Sequence, residues 1–112
     1  MVRYALVFAL TALGASPAAA GAGSFALING TPGDLGGVSI RRHGSEDWKN
    51  LSVAPKAGAR ASVDFNDPDC AFDVRADLGG GKTAVWPGVN LCETKAVTLK
   101  RDESGAVWVD YD

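Results

Sequence analysis

From residue 24 onward the chain alternates apolar and polar side chains in short runs separated by Gly, Pro, Asp and Asn. The clearest run is Cys70-Ala71-Phe72-Asp73-Val74-Arg75-Ala76-Asp77-Leu78. Here Cys70, Phe72, Val74, Ala76 and Leu78 share one face, and Asp73, Arg75 and Asp77 share the other. A period of two is that of a strand with one face in the core and the other in water. Ala61, Val63 and Phe65 repeat it, as do Val97 with Leu99, and Val107 with Val109 and Tyr111. Strands are therefore predicted over 24–29, 38–43, 51–54, 59–65, 70–78, 83–86, 95–101 and 106–111.

Between them, Gly30-Thr31-Pro32-Gly33, Gly36-Gly37, Pro55-Lys56-Ala57-Gly58, Asn66-Asp67-Pro68-Asp69 and Gly79-Gly80-Gly81 supply turn geometry. No helical apolar series persists, and the stretch 45–49 is the one candidate for a helical turn. Short strands with one apolar face each must pack as two sheets or close into a barrel. The expected fold is all-β: a small two-sheet antiparallel β-sandwich, immunoglobulin-like or transthyretin-like, held by one disulfide. No repeat that would build a solenoid or propeller is present.

The first twenty residues break this pattern. Arg3 is followed by an apolar run over 4–13 and a small-residue stretch ending Ala18-Ala19-Ala20, the three parts of a secretory signal. Cleavage is expected after Ala20, leaving 21–112 as a single domain in the periplasm or outside the cell. The apolar run is too short for a hydrocarbon core that needs about 20 residues, so no membrane span is expected after cleavage. No Cys stands at the cleavage site to carry a lipid.

A chain of 112 residues with a formal charge of −2 has room for one small core, and it lacks a basic patch. Nucleic acid is not an expected partner. Cys70 and Cys92 are the only cysteines, and an even count in an exported small domain predicts a bridge between them. Closing a loop of that size contributes roughly 3 kcal/mol in the chain-entropy model. A redox or metal pair would instead call for a CxxC spacing or nearby histidines, and the sequence has neither.

The chemistry on offer is sparse. His43 is the single histidine, placed after Arg41-Arg42 and before Gly44, and reads as a solvated residue at a strand end. Asp64, Asn66, Asp67 and Asp69 form an acidic stretch that invites a calcium reading. Against an EF-hand loop begun at Asp64, Pro68 occupies the fifth position, Asp69 replaces the required Gly and Arg75 the final Glu. A turn whose Asp and Asn side chains bond local amides is expected there, with no metal and no cofactor. Gly79-Gly80-Gly81-Lys82-Thr83 lacks the spacing of a phosphate loop and reads as a hairpin. Asn29-Gly30-Thr31 and Asn50-Leu51-Ser52 match the N-glycosylation triplet, a weak signal by itself. Trp108 lies between Val107 and Val109 and is expected to point away from their core face, with Trp86 grouped beside it as a second candidate anchor. Trp48 is expected to plug one end of the sandwich.

Phe25 and Leu27 leading into Asn29-x-Thr31, then Ile40, Trp48, Gly58, Cys70-x-x-Asp73-Val74-Arg75, Gly81 and Leu91-Cys92 form a recognisable set. It resembles a group of small exported bacterial proteins of unknown function. In these an N-x-T strand end precedes a Trp turn, one cysteine opens C-x-[YF]-D-[LIV]-R, and the second closes an L-C strand. Asn50-Leu51-Ser52 stands where those relatives tend to carry Asp-Leu-Leu-Gly. The resemblance implies export, a disulfide and a β fold, and no reaction.

The function these features predict is that of a non-enzymatic binding module for an envelope protein or glycan, as a monomer or weak dimer. Its expected surface is the Asp73, Arg75 and Asp77 face, with Lys82, or the region of Trp86 and Trp108. Alternatives are a small inhibitor of an envelope-attacking enzyme such as a lysozyme, inserting the 79–83 loop, and a calcium-stabilised secreted domain. A hydrolase would have to be built on His43.

Overall fold

The computed structural model describes residues 21–112, so the leader predicted over 1–20 lies outside the described residues. Eight strands follow in order: β1 (Phe25–Asn29), β2 (Val38–Arg42), β3 (Lys49–Asn50), β4 (Arg60–Val63), β5 (Ala71–Gly79), β6 (Lys82–Asn90), β7 (Ala96–Arg101) and β8 (Val107–Tyr111). They form two four-stranded sheets, ordered β4-β1-β7-β8 and β3-β2-β5-β6. The expected two-sheet β-sandwich is the observed architecture. One pairing, β1 with β7, is parallel: the chain returns to the first sheet at β4 on one side of β1 and again at β7 on the other, where it runs in the same direction as β1. The other pairings are antiparallel.

The period-two pattern explains which face of each strand is inward. Phe25 and Leu27 of β1, Val38 and Ile40 of β2, Phe72, Val74 and Ala76 of β5, and Val97 and Leu99 of β7 are buried in one core between the sheets. Phe65 joins it through edge contacts with Phe25 and Phe72, at 6.0 and 5.1 Å between ring centroids. Trp86 was predicted for the interaction surface, but it is only 1% exposed and is a core residue. It points inward from β6 and donates its indole N–H to the Lys100 carbonyl of the opposite sheet at 2.8 Å, which satisfies its one polar atom.

Two strands differ from the pattern reading for local reasons. The strand predicted over 51–54 is replaced by the two-residue β3 just before it. Leu51 donates to the Val38 carbonyl and Val53 accepts from the Val38 amide, while Ser52 between them is bulged out at φ 59° with its N–H on Asn50 Oδ1. β6 continues past Trp86 through Pro87 to Asn90. Proline is tolerated because β6 is an edge strand, and Pro87-Gly88 forms a bulge in which two residues oppose Asp73 alone. Gly88 sits at φ 63°, a backbone conformation that side chains disfavour.

Cys70 and Cys92 form the predicted disulfide, with Cα atoms 5.1 Å apart. It closes the open end of the β5–β6 hairpin, whose other end is the Gly79-Gly80-Gly81 tip. The bridge therefore lies within one sheet, at the point where the chain leaves for β7 of the other. Asn29, at the end of β1, is completely buried. Its Nδ2 donates to the carbonyls of Gly33 and Pro55 at 2.8 and 3.0 Å, and its Oδ1 accepts from the amide and hydroxyl of Thr31 at 2.9 and 2.6 Å. The N-x-T triplet thus ties the strand end to two loops, and its amide nitrogen is enclosed in the folded domain.

Candidate functional site

The outer face of the β3-β2-β5-β6 sheet carries the most organised polar cluster among the described residues. In the antiparallel register Arg41 of β2 lies opposite Asp73 of β5, and Ser39 lies opposite Arg75. Alternation places Asp73 on the outer face, as its neighbours Phe72 and Val74 require, yet its side chain is only 3% exposed. The expectation that Asp73 faces water fails because three donors converge on it and cover it. Arg41 Nε donates to Oδ2 at 2.8 Å, and His43 Nδ1 and the Gly88 N–H reach Oδ1 at 2.8 and 2.9 Å. The β6 bulge aims that last N–H at the carboxylate.

Burial by itself would raise the Asp73 pKa. The hydrogen bonds from His43, the Gly88 amide and Arg41 outweigh it and hold the carboxyl at about 2, below its ordinary 3.8. The ionised carboxylate accepts from His43, so Nδ1 carries the proton in this pairing. His43 lies just past β2, as predicted, and its side chain is largely exposed, but the ring is fixed rather than free. An aspartate orienting a histidine is part of a hydrolytic triad. Among the described residues no hydroxyl or thiol is hydrogen-bonded to that ring, and both cysteines are in the disulfide.

Next to this cluster, Trp48 emerges from the β2–β3 connection and packs against the guanidinium groups of Arg41 and Arg75, which lie 4.4 and 4.2 Å from its ring centroid. Trp48 therefore lies on the outside of the sheet, not at the end of the sandwich as expected. The order of dependence runs from the core outward: Asp73 fixes Arg41, Arg41 and Arg75 support Trp48, and the array is half-buried and pre-ordered. Arg75 makes no ion pair among the described residues, so its guanidinium donors are open to a partner's carboxylate.

The other predicted residues fall elsewhere. Asp77 is exposed further along β5, and Lys82 is exposed at the tip of the β5–β6 hairpin. Trp108 is 44% exposed on β8, on the opposite sheet, pointing away from Val107 and Val109 as expected. In the acidic stretch, Asp67 accepts from the Asp69 amide at 2.8 Å, and Arg42 lies 3.0 Å from Asp67 and 3.2 Å from Asp69. The Asp69 amide, and then Arg42, hold the Asp67 carboxyl below its ordinary pKa. The carboxylates are thus already occupied by an amide and a guanidinium, and Asp64 and Asn66 add no converging ligand. Among the described residues no group of three or more metal-ligating side chains is assembled. A cleft of about 400 Å³ opens beside Arg42, Lys49, Asp47 and Asp67, and the cations on its rim are paired with carboxylates.

Arg41 and Trp48 are the site residues that the pattern reading missed. The available signal was the shared alternation of Ser39-x-Arg41-x-His43 and Asp73-x-Arg75-x-Asp77, two rows of polar side chains with complementary charge. The register that joins them is not written in either row.

No protein-family model matches the chain, and no curated protein matches it. Among solved structures it is similar to one described as the NMR structure of the protein from Eubacterium rectale, with a TM-score of 0.58 and 17% identity over 87% of this chain and 94% of that one. At that identity the likeness concerns the fold alone.

Proposed function

We infer that this chain is an exported, non-enzymatic β-domain that works as a binding module in the periplasm or outside the cell, engaging an envelope protein through the outer face of the β3-β2-β5-β6 sheet. The observation that carries this reading is the Arg41–Trp48–Arg75 stack held in place by buried Asp73. Tryptophan and arginine dominate binding hot spots because they contribute large contact area and directed donors. Here their side-chain entropy is largely lost before any partner arrives, which lowers the cost of association. The unpaired fork of Arg75 suits an acidic group on the partner, and Asp77 and Val85 extend the face. Export is supported by the leader pattern and by a disulfide suited to an oxidising compartment.

The test is affinity capture from an envelope extract with the oxidised protein, run beside Trp48→Ala and Arg75→Ala variants. A partner retained by the parent and lost by both variants is the expected result. Equal retention by all three proteins would remove this face from consideration, and a partner lost only on replacing Lys82 would favour an inhibitor acting through the 79–83 tip.

A further inference from the structure

The two sheets expose four edge strands, and three of them are blunted. β3 has two residues, β4 has four, and β6 is interrupted by Pro87 and the Gly88 bulge. β8 has no such device. It runs five residues without Pro, Gly or bulge, in continuous register with β7. Its exposed side chains include Trp108 and Tyr111, at 44% and 49%, the two most exposed large hydrophobic residues among those described.

The ladder to β7 identifies which backbone groups are free. Asp112 and Ala96 exchange both hydrogen bonds, and the Asp102 amide donates to the Ala106 carbonyl. Antiparallel bonding alternates, so Trp108 and Asp110 also point their backbone groups at β7. Val107, Val109 and Tyr111 therefore direct their N–H and C=O away from it, and no other described strand pairs with β8.

We propose that β8 pairs antiparallel with β8 of a second copy of this chain, about a two-fold axis at Val109. That axis opposes Val109 with Val109 and Val107 with Tyr111, so all the free backbone groups meet in hydrogen-bonding pairs. On the inner row the facing side chains are Val107, Val109 and Tyr111, the last with its hydroxyl accepting from the Asn90 amide of its own chain at 2.9 Å. On the outer row Asp110, the one charge on β8, lies beside Trp108 of the second copy, whose indole N–H is a suitable donor to it. The result is a continuous sheet of eight strands across two copies. Because the three other edges are blunted, association stops at the closed dimer. The outer face bearing Trp48 belongs to the other sheet and stays open in both copies. A five-residue strand buries less than the roughly 800 Å² per partner of a standard interface, so dissociation at micromolar or higher concentration is expected.

The experiment is sedimentation of the oxidised protein, expressed from its full-length sequence, over about 1 to 500 µM, a range suited to small interfaces. The expected result is a concentration-dependent shift from monomer to dimer. Val109→Pro removes an N–H that β7 does not use and should leave the protein monomeric. Trp108→Asp changes an exposed side chain and opposes Asp110 with a second carboxylate, which should weaken the dimer at least tenfold and more strongly at low salt. Trp48→Ala should dimerise like the parent. A parent that stays monomeric throughout, as it would if β8 served a foreign extended peptide, overturns the proposal. So does a Trp108→Asp variant that dimerises with unchanged affinity.

Discussion

Asp73 offers the sharpest test of how this sheet is held. Replacement by Asn keeps an oxygen for the Gly88 N–H but removes the negative charge that Arg41 and His43 bond. The folded carboxyl titrates at about 2 against an ordinary 3.8. At about 1.4 kcal/mol per unit, this difference contributes roughly 2 to 3 kcal/mol to stability at neutral pH. Replacement by Ala also leaves the Gly88 N–H without its acceptor and Arg41 without its counter-charge, raising the expected loss to about 3 to 5 kcal/mol. The pH dependence has a definite sign. Because the folded-state pKa is lowered, the contribution is fully present above about pH 4 and is lost as pH falls through about 2. Urea unfolding of the oxidised protein, followed by tryptophan fluorescence at pH 7, 4 and 2, measures all of this. The deficit of Asp73→Asn should be clear at pH 7 and should shrink towards zero at pH 2. An Asn variant within about 0.5 kcal/mol of the parent at pH 7, no more than an ordinary surface substitution, would refute the reasoning. A deficit that does not change with pH would do the same.

Other consequences are open to direct measurement. Reducing the Cys70–Cys92 bridge should lower the unfolding free energy by about 3 kcal/mol, read as a shift in urea midpoint with and without reductant. Asn29→Asp sets a carboxylate against the carbonyls of Gly33 and Pro55, and should cost about 2 to 4 kcal/mol in the same assay. Calcium or a chelator should leave the melting temperature unchanged, since Arg42 and the Asp69 amide already occupy the acidic stretch. A rise of several degrees with calcium would contradict that reading. Trp48→Ala should cost little stability, on the order of 1 kcal/mol as for an exposed cation–π contact, while abolishing partner capture.

Much of the fold is local in origin, and this is why it was legible along the chain. Two-residue alternation marks seven of the eight strands within a few residues, because inward and outward positions follow from backbone geometry alone. The disulfide follows from having two cysteines and no competing chemistry for them. Even the outward placement of Asp73, between Phe72 and Val74, and of Trp108, between Val107 and Val109, comes from strand parity.

Burial, partners and sheet order belong to tertiary structure. Asp73 is on the outer face and yet covered, since Arg41 arrives from 32 residues away and the Gly88 N–H from a bulge that no pattern of hydrophobicity encodes. Trp86 and Trp108 look equivalent in sequence. One is the core pin to Lys100 and the other is exposed, because β6 turns Trp86 towards the opposite sheet whereas β8 turns Val107 and Val109 inward and leaves Trp108 on the outer face. Trp48 finds its place only once β2 and β5 have set Arg41 and Arg75 within reach of one ring. Which residues turn inward and which outward along each strand is a property of neighbouring φ and ψ angles, and the chain carries it locally. The packed sheets decided which outward residues meet, because register and strand order depend on contacts between segments far apart in the chain.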